Sequence, residues 1–310
     1  MTCMTPEHPL EFQPLPGLYE PSAIAQLPDG RFLVVEDEKD YSFSLLTLGA
    51  DGRATSQPLG PGWFQSGQPI WKLEDLEGLT QDSEGYFYAI TSHSRTDSGD
   101  EKKPRDKLAR FRIDGNRLTQ PVVVGGLKPA LLAAHPVLAA AARVLDAKSG
   151  AGLNIEALAI TPDGQRLLVG FRSPLQAGLA LIASIDNPAA IFDSGAAAQV
   201  AGALLMLDLG GQGIRSLSYV AALAGYLVVS GPANREDVEF GLWFWTGLPG
   251  APARRVTVPG LDNLAHAEGV CPAVLEGIAG IVIISDDGNR DENRSAHFLR
   301  LTLDQLHIAL

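Results

Sequence analysis

The amino-acid sequence predicts an all-β fold, a β-propeller of five four-stranded blades, on three observations. A strand, turn and strand unit recurs five times along the 310 residues. Each copy opens with a polar or charged residue, followed by a small residue and an aliphatic one. Each copy then reaches a turn and continues into an aliphatic or aromatic run. Repeats of about 40 to 50 residues that carry strand pairs are typical of propellers.

The clearest copy of the unit spans residues 154–174, NIEALAITPDGQRLLVGFRSP. Its first strand alternates, so that Glu156 and the larger aliphatic residues face one side and two alanines face the other. The PDG segment then reverses the chain, because Pro and Asp favour turns and Gly adopts a positive φ. An antiparallel return brings the end of the second strand beside the start of the first. We therefore expect Glu156 and Arg172 to emerge at the same end of the sheet.

The five repeats begin at what we call lead residues, which are Ser22, Glu77, Glu156, Arg215 and Glu268. Successive lead residues are 55, 79, 59 and 53 positions apart. A small residue follows each of them, which suits innermost strands because these strands crowd together at a propeller axis. Six blades remain an alternative, since residues 176–209 are long enough to hold a degenerate unit.

The long spacing between the second and third repeats coincides with an Ala/Leu-rich segment. Residues 127–148 carry apolar side chains at helical spacing and contain Pro136, which predicts one kinked helix or a broken pair. We therefore expect a single propeller domain over residues 1–310, with a helical insertion at about 127–150. Residues 8–15 are expected to supply an outer strand that closes the ring with the C-terminal segment.

Charge and composition narrow the classes of function. The net charge of −12 disfavours nucleic acid and anionic membranes as partners, and it favours cations or small polar ligands. The two cysteines, Cys3 and Cys271, form no CxxC pair, so neither a disulfide framework nor a zinc site is indicated. The N-terminus lacks the basic and apolar regions of a signal peptide, so we expect a cytoplasmic protein. The sequence contains no GxSxG, HExxH, P-loop or dinucleotide-binding GxGxxG motif.

Chemistry is expected at the face of the propeller on which the repeats converge. The lead residues should ring the axis there, near the residues that end the second strands, which include Asp37, His93, Arg172, Asp286 and Asp287. Neighbouring carboxylates repel one another and raise one another's pKa unless a cation lies among them. The sequence offers two ways to neutralise them. One is a hard metal ion such as calcium, which takes oxygen ligands, and the other is the pair Arg172 and Arg215.

These residue types predict distinct roles. The candidate metal ligands are the carboxylates, with calcium as the cofactor, namely Glu77, Glu156, Glu268, Asp286 and Asp287. The candidate catalytic residues are His93 as a general base and Arg172 and Arg215 as the groups that orient an anion. The alternative is structural: the Glu and Arg residues form an ion-pair network that plugs the channel, and His93 is a hydrogen-bonding residue.

Short motifs at these positions carry a resemblance to a known family. They are DLEGLT and ITSHSR within 75–95, NIEALAI and LLVGFRSPL within 154–175, IRSL at 214–217, and AEGV at 267–270 with Asp286 and Asp287. Together they resemble the bacterial domain of unknown function DUF3616. The EGL-type strand openings are more distantly similar to the esterase-like phytase propellers. The resemblance covers most of residues 22–301 and implies a β-propeller with a polar face, without implying a reaction.

Two hypotheses for the function follow. The first is a metal-dependent hydrolase of a small phosphorylated, ester or lactone substrate, with the metal held by Glu77, Glu156 and Glu268. The second is a non-catalytic scaffold, in which the same ring holds the blades together and loops such as residues 60–72 meet a protein partner. A cation beside an open pocket would favour the first hypothesis, and a ring closed by Arg–Glu pairs would favour the second.

Overall fold

The chain folds into five antiparallel sheets, which are arranged as the blades of a propeller. The computed structural model describes residues 10–37, 42–61, 67–146, 149–234, 238–264 and 266–309. Across these ranges there are five sheets of four or five strands each, which confirms the predicted all-β propeller with five blades. Residues 176–209 complete the third blade and do not form a sixth.

The strands follow one another outwards from the axis within each blade. The chain begins with β1 (Gln13–Leu15). Blade one contains β2 (Pro21–Gln26), β3 (Phe32–Glu36), β4 (Phe43–Leu48) and β5 (Ala54–Pro58). Blade two contains β6 (Leu76–Gln81), β7 (Phe87–Thr91), β8 (Leu108–Asp114) and β9 (Arg117–Val124).

The remaining blades are built in the same way. Blade three contains β10 (Asn154–Ile160), β11 (Leu167–Ser173), β12 (Ala180–Ile185) and β13 (Leu205–Leu207). Blade four contains β14 (Gly213–Val220), β15 (Gly225–Gly231), β16 (Gly241–Trp245) and β17 (Arg254–Thr257). Blade five contains β18 (Ala267–Leu275), β19 (Ile278–Ser285) and β20 (Ala296–Thr302), and the last strand of the chain is β21 (His307–Ile308).

The first and last described strands each add an outer strand to a blade, and the first of them closes the ring. Strand β1 pairs with β20, where Gln13 lies opposite Phe298, so it forms the outer strand of blade five. Strand β21 pairs with β17 and adds a fifth strand to blade four. The predicted closing strand is thus present over Gln13–Leu15, while His8 lies outside the described residues.

The small residues after the lead positions lie where adjacent blades meet. The first strands of successive blades, β2, β6, β10, β14 and β18, contact one another in a closed ring. A Cβ atom on Gly78 would lie 2.8 Å from the Cβ of Leu158 in the next blade. A Cβ atom on Gly269 would lie 3.3 Å from the Cα of Ala23. The close approach of the inner strands therefore explains why these positions are small.

The predicted helical insertion is a pair of short helices. They are α1 (Leu127–Ala134) and α2 (Pro136–Ala141). The extended backbone of His135 separates them, and Pro136 occupies the first turn of the second helix, where its missing N–H costs nothing. Leu131 and Leu138 are fully buried against the core between blades two and three. A third helix, α3 (Pro188–Ser194), lies between β12 and β13.

Apolar side chains fill the spaces between neighbouring sheets. Between blades one and two, the ring centroids of Phe43 and Phe111 lie 5.4 Å apart, and Trp71 packs edge-on against Phe43 at 5.9 Å. Trp71 thus covers the core edge, whereas Trp63 and Phe64 of the same loop lie outside the described residues. Fully burying one such side chain contributes about 1.5–3 kcal/mol to stability. None of the helices that the structure describes is long and apolar enough to cross a membrane.

Candidate functional site

A β-bulge lies at the lead position of every innermost strand. In blade two, Leu76 pairs with Thr91 and Gly78 pairs with Ile90, so Glu77 has no partner in the neighbouring strand. The other lead residues are also unpaired with the neighbouring strand, namely Ser22, Glu156, Arg215 and Glu268. A bulge leaves the extra residue unpaired and redirects its side chain. This local irregularity, repeated five times, brings the lead residues together.

The lead residues line a cavity of about 650 Å³ at one end of the axis, which we call the axial pocket. Most of its other lining residues are charged or polar and come from strand ends and from the loop between β7 and β8. These are Asp37, Asp75, Ser94, Arg95, Thr96, Asp97, Ser98, Lys102, Arg105, Asn154, Arg172 and Asp286. The axial pocket therefore joins elements of all five blades.

One half of the axial pocket is internally neutralised. Glu156 is 4% exposed, and its two carboxylate oxygens lie 3.0 Å from Nη1 of Arg215 and 3.1 Å from Nη1 of Arg172. Arg215 Nη1 also donates to Glu268 at 2.6 Å. Burial by itself lowers the pKa of Arg215, but the surrounding glutamates raise it by more. The guanidinium therefore remains charged, and it links blades three, four and five.

The two arginines share an anchor. Arg172 Nε and Arg215 Nη2 both donate to the carbonyl oxygen of Pro232, at 3.1 and 3.2 Å. Their positions are thus set by a backbone group as well as by Glu156. Within the part of the chain that the structure describes, Nη2 of Arg172 makes no hydrogen bond. An anion in the axial pocket would find an N–H donor there.

The other half of the axial pocket carries an acidic cluster. One carboxylate oxygen from each of Asp37, Asp75 and Glu77 lies within 4.8 Å of the other two. Arg105 Nη1 lies 2.9 Å from Asp75, which also accepts hydrogen bonds from Ser92 and Ser94. Among the described residues, Glu77 has no hydrogen bond and no ion pair. The cluster therefore has less positive charge beside it than the Glu156 half.

Burial raises the pKa of several carboxyl groups in the axial pocket. Burial, together with the charges of Glu156 and Asp37, raises the pKa of Glu77 well above its usual range. Desolvation within the pocket raises the pKa of Asp37 to about 9, and the neighbouring Asp75 adds to the effect. Desolvation also raises the pKa of Asp286 to about 7 and that of Glu268 well above normal.

The acidic cluster fits a hard divalent cation. Calcium binds oxygen ligands at about 2.3–2.6 Å, so two ligands of one ion are at most about 5 Å apart. The oxygen separations among Asp37, Asp75 and Glu77 meet that limit. Three carboxylates with the one guanidinium of Arg105 beside them leave two negative charges, which a divalent cation balances. The donor set contains only oxygen, as calcium and magnesium prefer.

Six of the predicted site residues line the axial pocket, namely Glu77, Glu156, Arg172, Arg215, Glu268 and Asp286. The structure does not bring His93 there. The residue is 1% exposed and has a left-handed backbone with φ of 55°. Its Nδ1 lies 2.8 Å from the carbonyl oxygen of Thr91, and its Nε2 lies 3.3 Å from Asp106. Burial lowers the pKa of His93, and Asp106 opposes that effect.

Asp287 also lies apart from the axial pocket. Its carboxylate accepts a hydrogen bond from Ser285 Oγ at 2.7 Å and lies 2.7 Å from Nδ1 of His297. Consecutive residues of an extended chain point to opposite sides. The alternation directs Asp286 to the axial pocket and leaves Asp287 beside β20, so the two neighbours do not share a site.

Sequence reasoning missed Asp75 as a candidate ligand, and it named Asp37 only as a neighbour of the ring. It also missed the bases Arg95, Lys102 and Arg105, which reach the pocket from the loop between β7 and β8. Strand alternation could not have indicated Asp75, because this residue precedes β6, has a left-handed backbone with φ of 65° and lies before the bulge at Glu77. No sequence signal marks the bases either, since their loop has no repeat equivalent.

Comparison with solved structures finds propeller-like chains of low sequence identity. A proposed oxidoreductase (glucose dehydrogenase) from Thermus thermophilus is 16% identical, with a TM-score of 0.48, over 94% of this chain and 100% of that one. The PQQ-bound aldose sugar dehydrogenase of Streptomyces coelicolor is 15% identical, with a TM-score of 0.45, over 97% and 98%. The allergen Mala s 1 of Malassezia sympodialis is 13% identical, with a TM-score of 0.46, over 93% and 78%.

Comparison with families gives a definite assignment. No curated protein matches the chain. A family model described as a protein of unknown function, DUF3616, matches residues 130–293, which are just over half of the chain. The matched segment contains all the predicted site residues that line the axial pocket except Glu77, namely Glu156, Arg172, Arg215, Glu268 and Asp286. The chain belongs to the DUF3616 family.

Proposed function

We propose that the axial pocket binds a divalent cation of the calcium type and hydrolyses a small phosphorylated, ester or lactone substrate. The observation that carries the proposal is the acidic cluster of Asp37, Asp75 and Glu77, in which Glu77 has no hydrogen bond and no ion pair among the described residues. The cluster lies in an open cavity of about 650 Å³, which is large enough for a small substrate as well as an ion.

The three carboxylates would hold the cation from one side and leave its other positions to the pocket. The chemistry that such an ion supplies is polarisation of a phosphoryl or carbonyl oxygen and a lowered pKa of bound water. The chain itself supplies substrate binding. Arg172 has an unused N–H donor, and its position is held by Glu156 and Pro232, so it can orient an anionic group without moving.

The proposal differs from the ligand set expected from the sequence. Glu156 and Glu268 are paired with arginines, so we assign them to positioning Arg172 and Arg215 and not to the cation. His93 and Asp287 do not reach the pocket and have no part in the proposal. Asp286 faces the pocket from blade five and would contribute negative charge near the ion.

A thermal melt tests the cation, with the protein first in EDTA and then with added calcium, magnesium or manganese. A ligand that binds only the native state stabilises it by about 2.7 kcal/mol at a hundredfold excess over Kd. We expect a rise in Tm with calcium, followed by calcium-dependent hydrolysis in a screen of p-nitrophenyl phosphate, p-nitrophenyl acetate and a simple lactone. A Tm that no cation changes would contradict the proposal.

The second candidate is a non-catalytic propeller that binds a small ligand or a protein partner. The observation that favours it is the continuous chain of ion pairs from Arg172 through Glu156 and Arg215 to Glu268, which is the pattern expected of a structural ring. If no cation binds and no ester is hydrolysed, while variants of this chain of ion pairs lose stability, the scaffold function is the better account.

A further inference from the structure

A second cavity lies at the opposite end of the axis from the axial pocket, and we call it the distal cavity. Its volume is about 450 Å³, within the range of about 300–1,000 Å³ that is usual for small-molecule sites. The first strand of every blade lines the distal cavity near its end, whereas the axial pocket is lined near the beginnings of the same strands. The five strands are represented in the distal cavity by Gln26, Gln81, Ile160, Val220 and Val274.

The first strands are also the inner edges of their sheets. Each pairs with a second strand on one side only, so the peptide groups on its other side have no strand partner. Side chains from neighbouring blades bond to some of these groups. Thr80 Oγ1 accepts a hydrogen bond from the backbone N–H of Ile160 at 3.1 Å. Gln26 Oε1 accepts one from the N–H of Val274 at 2.8 Å, and Gln26 Nε2 donates one to the carbonyl oxygen of Val274 at 3.0 Å.

Three side chains in the lining have hydrogen-bonding capacity that the protein does not use. Gln81, Ser218 and Tyr219 are half-buried, and none of them makes a side-chain hydrogen bond with a residue that the structure describes. Asp82 is the charged residue of the described lining, and its carboxylate already accepts three hydrogen bonds from residues 84–88. The groups that remain available to a ligand are therefore uncharged amides and hydroxyls.

Apolar side chains complete the wall of the distal cavity. Ile24, Leu79 and Val220 come from three different blades and line the cavity beside the polar groups. The ring of Tyr219 packs edge-on against that of Tyr226, with the centroids 5.2 Å apart, which fixes its position. A flat molecule in this cavity would have apolar surface for its faces and hydrogen-bonding groups for its rim.

We propose that the distal cavity binds a neutral, flat heterocycle with a cyclic amide edge, of the kind that nucleobases carry. The contact between Gln26 and Val274 supplies the pattern, because one amide bonds both the N–H and the C=O of a single edge residue. A ring with an N–H beside a C=O presents the same pair of groups to the free strand edges. The site is separate from the axial pocket and does not depend on the function proposed for that pocket.

Calorimetric titration of the full chain in EDTA with uridine and inosine, which both have a cyclic amide edge, tests the inference. Methyl β-glucopyranoside is the comparison ligand, because it is neutral and has hydroxyl groups but no amide. We expect the nucleosides to bind with Kd below about 1 mM and the glucoside to bind more weakly than both.

Variants of the lining locate the site. Gln81→Leu removes an unpaired amide with little change in size and should weaken nucleoside binding about three- to tenfold. Ala279→Trp places a ring at the mouth of the cavity from an exposed position and should abolish binding. Gln176→Leu is the matched control, because Gln176 is an exposed glutamine that does not line the cavity.

Three results would overturn the inference. Neither nucleoside binds below about 1 mM, or the glucoside binds as tightly as the nucleosides, which would mean that the amide edge is not recognised. Alternatively, Gln81→Leu binds the nucleosides as tightly as Gln176→Leu, which would place them elsewhere on the protein. Urea unfolding midpoints show that each variant folds, and Gln81→Leu decides the question by itself if Ala279→Trp does not fold. None of these results bears on the function proposed for the axial pocket.

Discussion

Glu77 and Glu156 occupy the same bulged position in adjacent blades, yet Glu156 contacts two arginines and Glu77 contacts none among the described residues. The fold therefore presents equivalent carboxylates in two electrostatic states. Glu156 lies in a closed ion-pair network, and Glu77 lies in an acidic cluster with Asp37 and Asp75. The difference arises in the neighbouring blades, because blade four supplies Arg215 whereas blade one supplies Asp37.

The variant Glu77→Gln should show whether calcium binds at the acidic cluster and not at the other lead residues. Removing this carboxyl group relieves repulsion, so the variant in EDTA should be at least as stable as the wild type. The rise in stability with calcium, about 2.7 kcal/mol at a hundredfold excess over Kd, should be lost. Glu268→Gln is the matched control, because Glu268 has the same bulged position but contacts Arg215. A calcium response lost in Glu268→Gln and kept in Glu77→Gln would reverse our assignment.

Glu156→Gln should destabilise the fold. The substitution leaves the buried guanidinium of Arg215 with Glu268 as its remaining carboxylate and deprives Arg172 of its carboxylate. Loss of one partner from a buried ion pair costs about 3–5 kcal/mol, and we expect the lower end because Glu268 remains. Urea unfolding measures the change, with the exposed Glu84→Gln as a control that should stay within about 0.5 kcal/mol. Equal midpoints for the two variants would mean that the ring does not stabilise the blades.

The cation-free protein should lose stability as the pH rises. The pKa of Asp286 is raised from 3.8 to about 7, so its contribution is complete below pH 4 and is lost as the pH rises through 7. Asp37, with a pKa of about 9, extends the loss to higher pH. Both side chains are partly in contact with solvent, which weakens their electrostatic contributions. The loss in the free energy of unfolding from Asp286 should therefore be on the order of 1 kcal/mol.

Urea midpoints at pH 5, 7 and 9 measure this pH dependence, in EDTA and again with calcium. Asp286→Asn should flatten the profile between pH 5 and 7, whereas Asp262→Asn, at an exposed site outside the axial pocket, should not. Calcium should raise stability most at high pH, where the carboxyl groups are ionised. If the stability of the Asp286 variant and that of the wild type depended on pH in the same way, Asp286 would not be a cause of the pH dependence.

Gly78→Ala should test the close approach of the inner strands. The added Cβ would lie 2.8 Å from side-chain atoms of Ile90 and Leu158 and 2.9 Å from the backbone nitrogen of Leu158. Overpacking of this kind costs about 1–3 kcal/mol. Gly202→Ala is the control, because a Cβ there meets nothing within 4 Å and the φ of Gly202 is not in the left-handed region. Similar unfolding midpoints for both variants would show that blades two and three can move apart.

Much of the architecture could be predicted from local patterns. The spacing of the lead residues predicted five blades, and the alternation in residues 154–160 predicted that Glu156 and Arg172 would meet, as they do at 3.1 Å. The Ala/Leu-rich segment predicted the helices α1 and α2. These features depend on neighbours a few positions apart or on close repetition, which a sequence displays directly.

The electrostatic state of each site residue was decided by the tertiary structure. His93 follows a second strand, as Asp37 and Asp286 do, but its left-handed backbone and its contact with Asp106 place its side chain away from the axis. Asp287 follows Asp286 directly, and because consecutive residues of an extended chain point to opposite sides, its side chain lies away from the axial pocket. Local sequence patterns are enough to decide which residues reach the strand ends. Which carboxylates have a counter-charge depended on distances between blades far apart in the chain, and only the closed ring sets those distances.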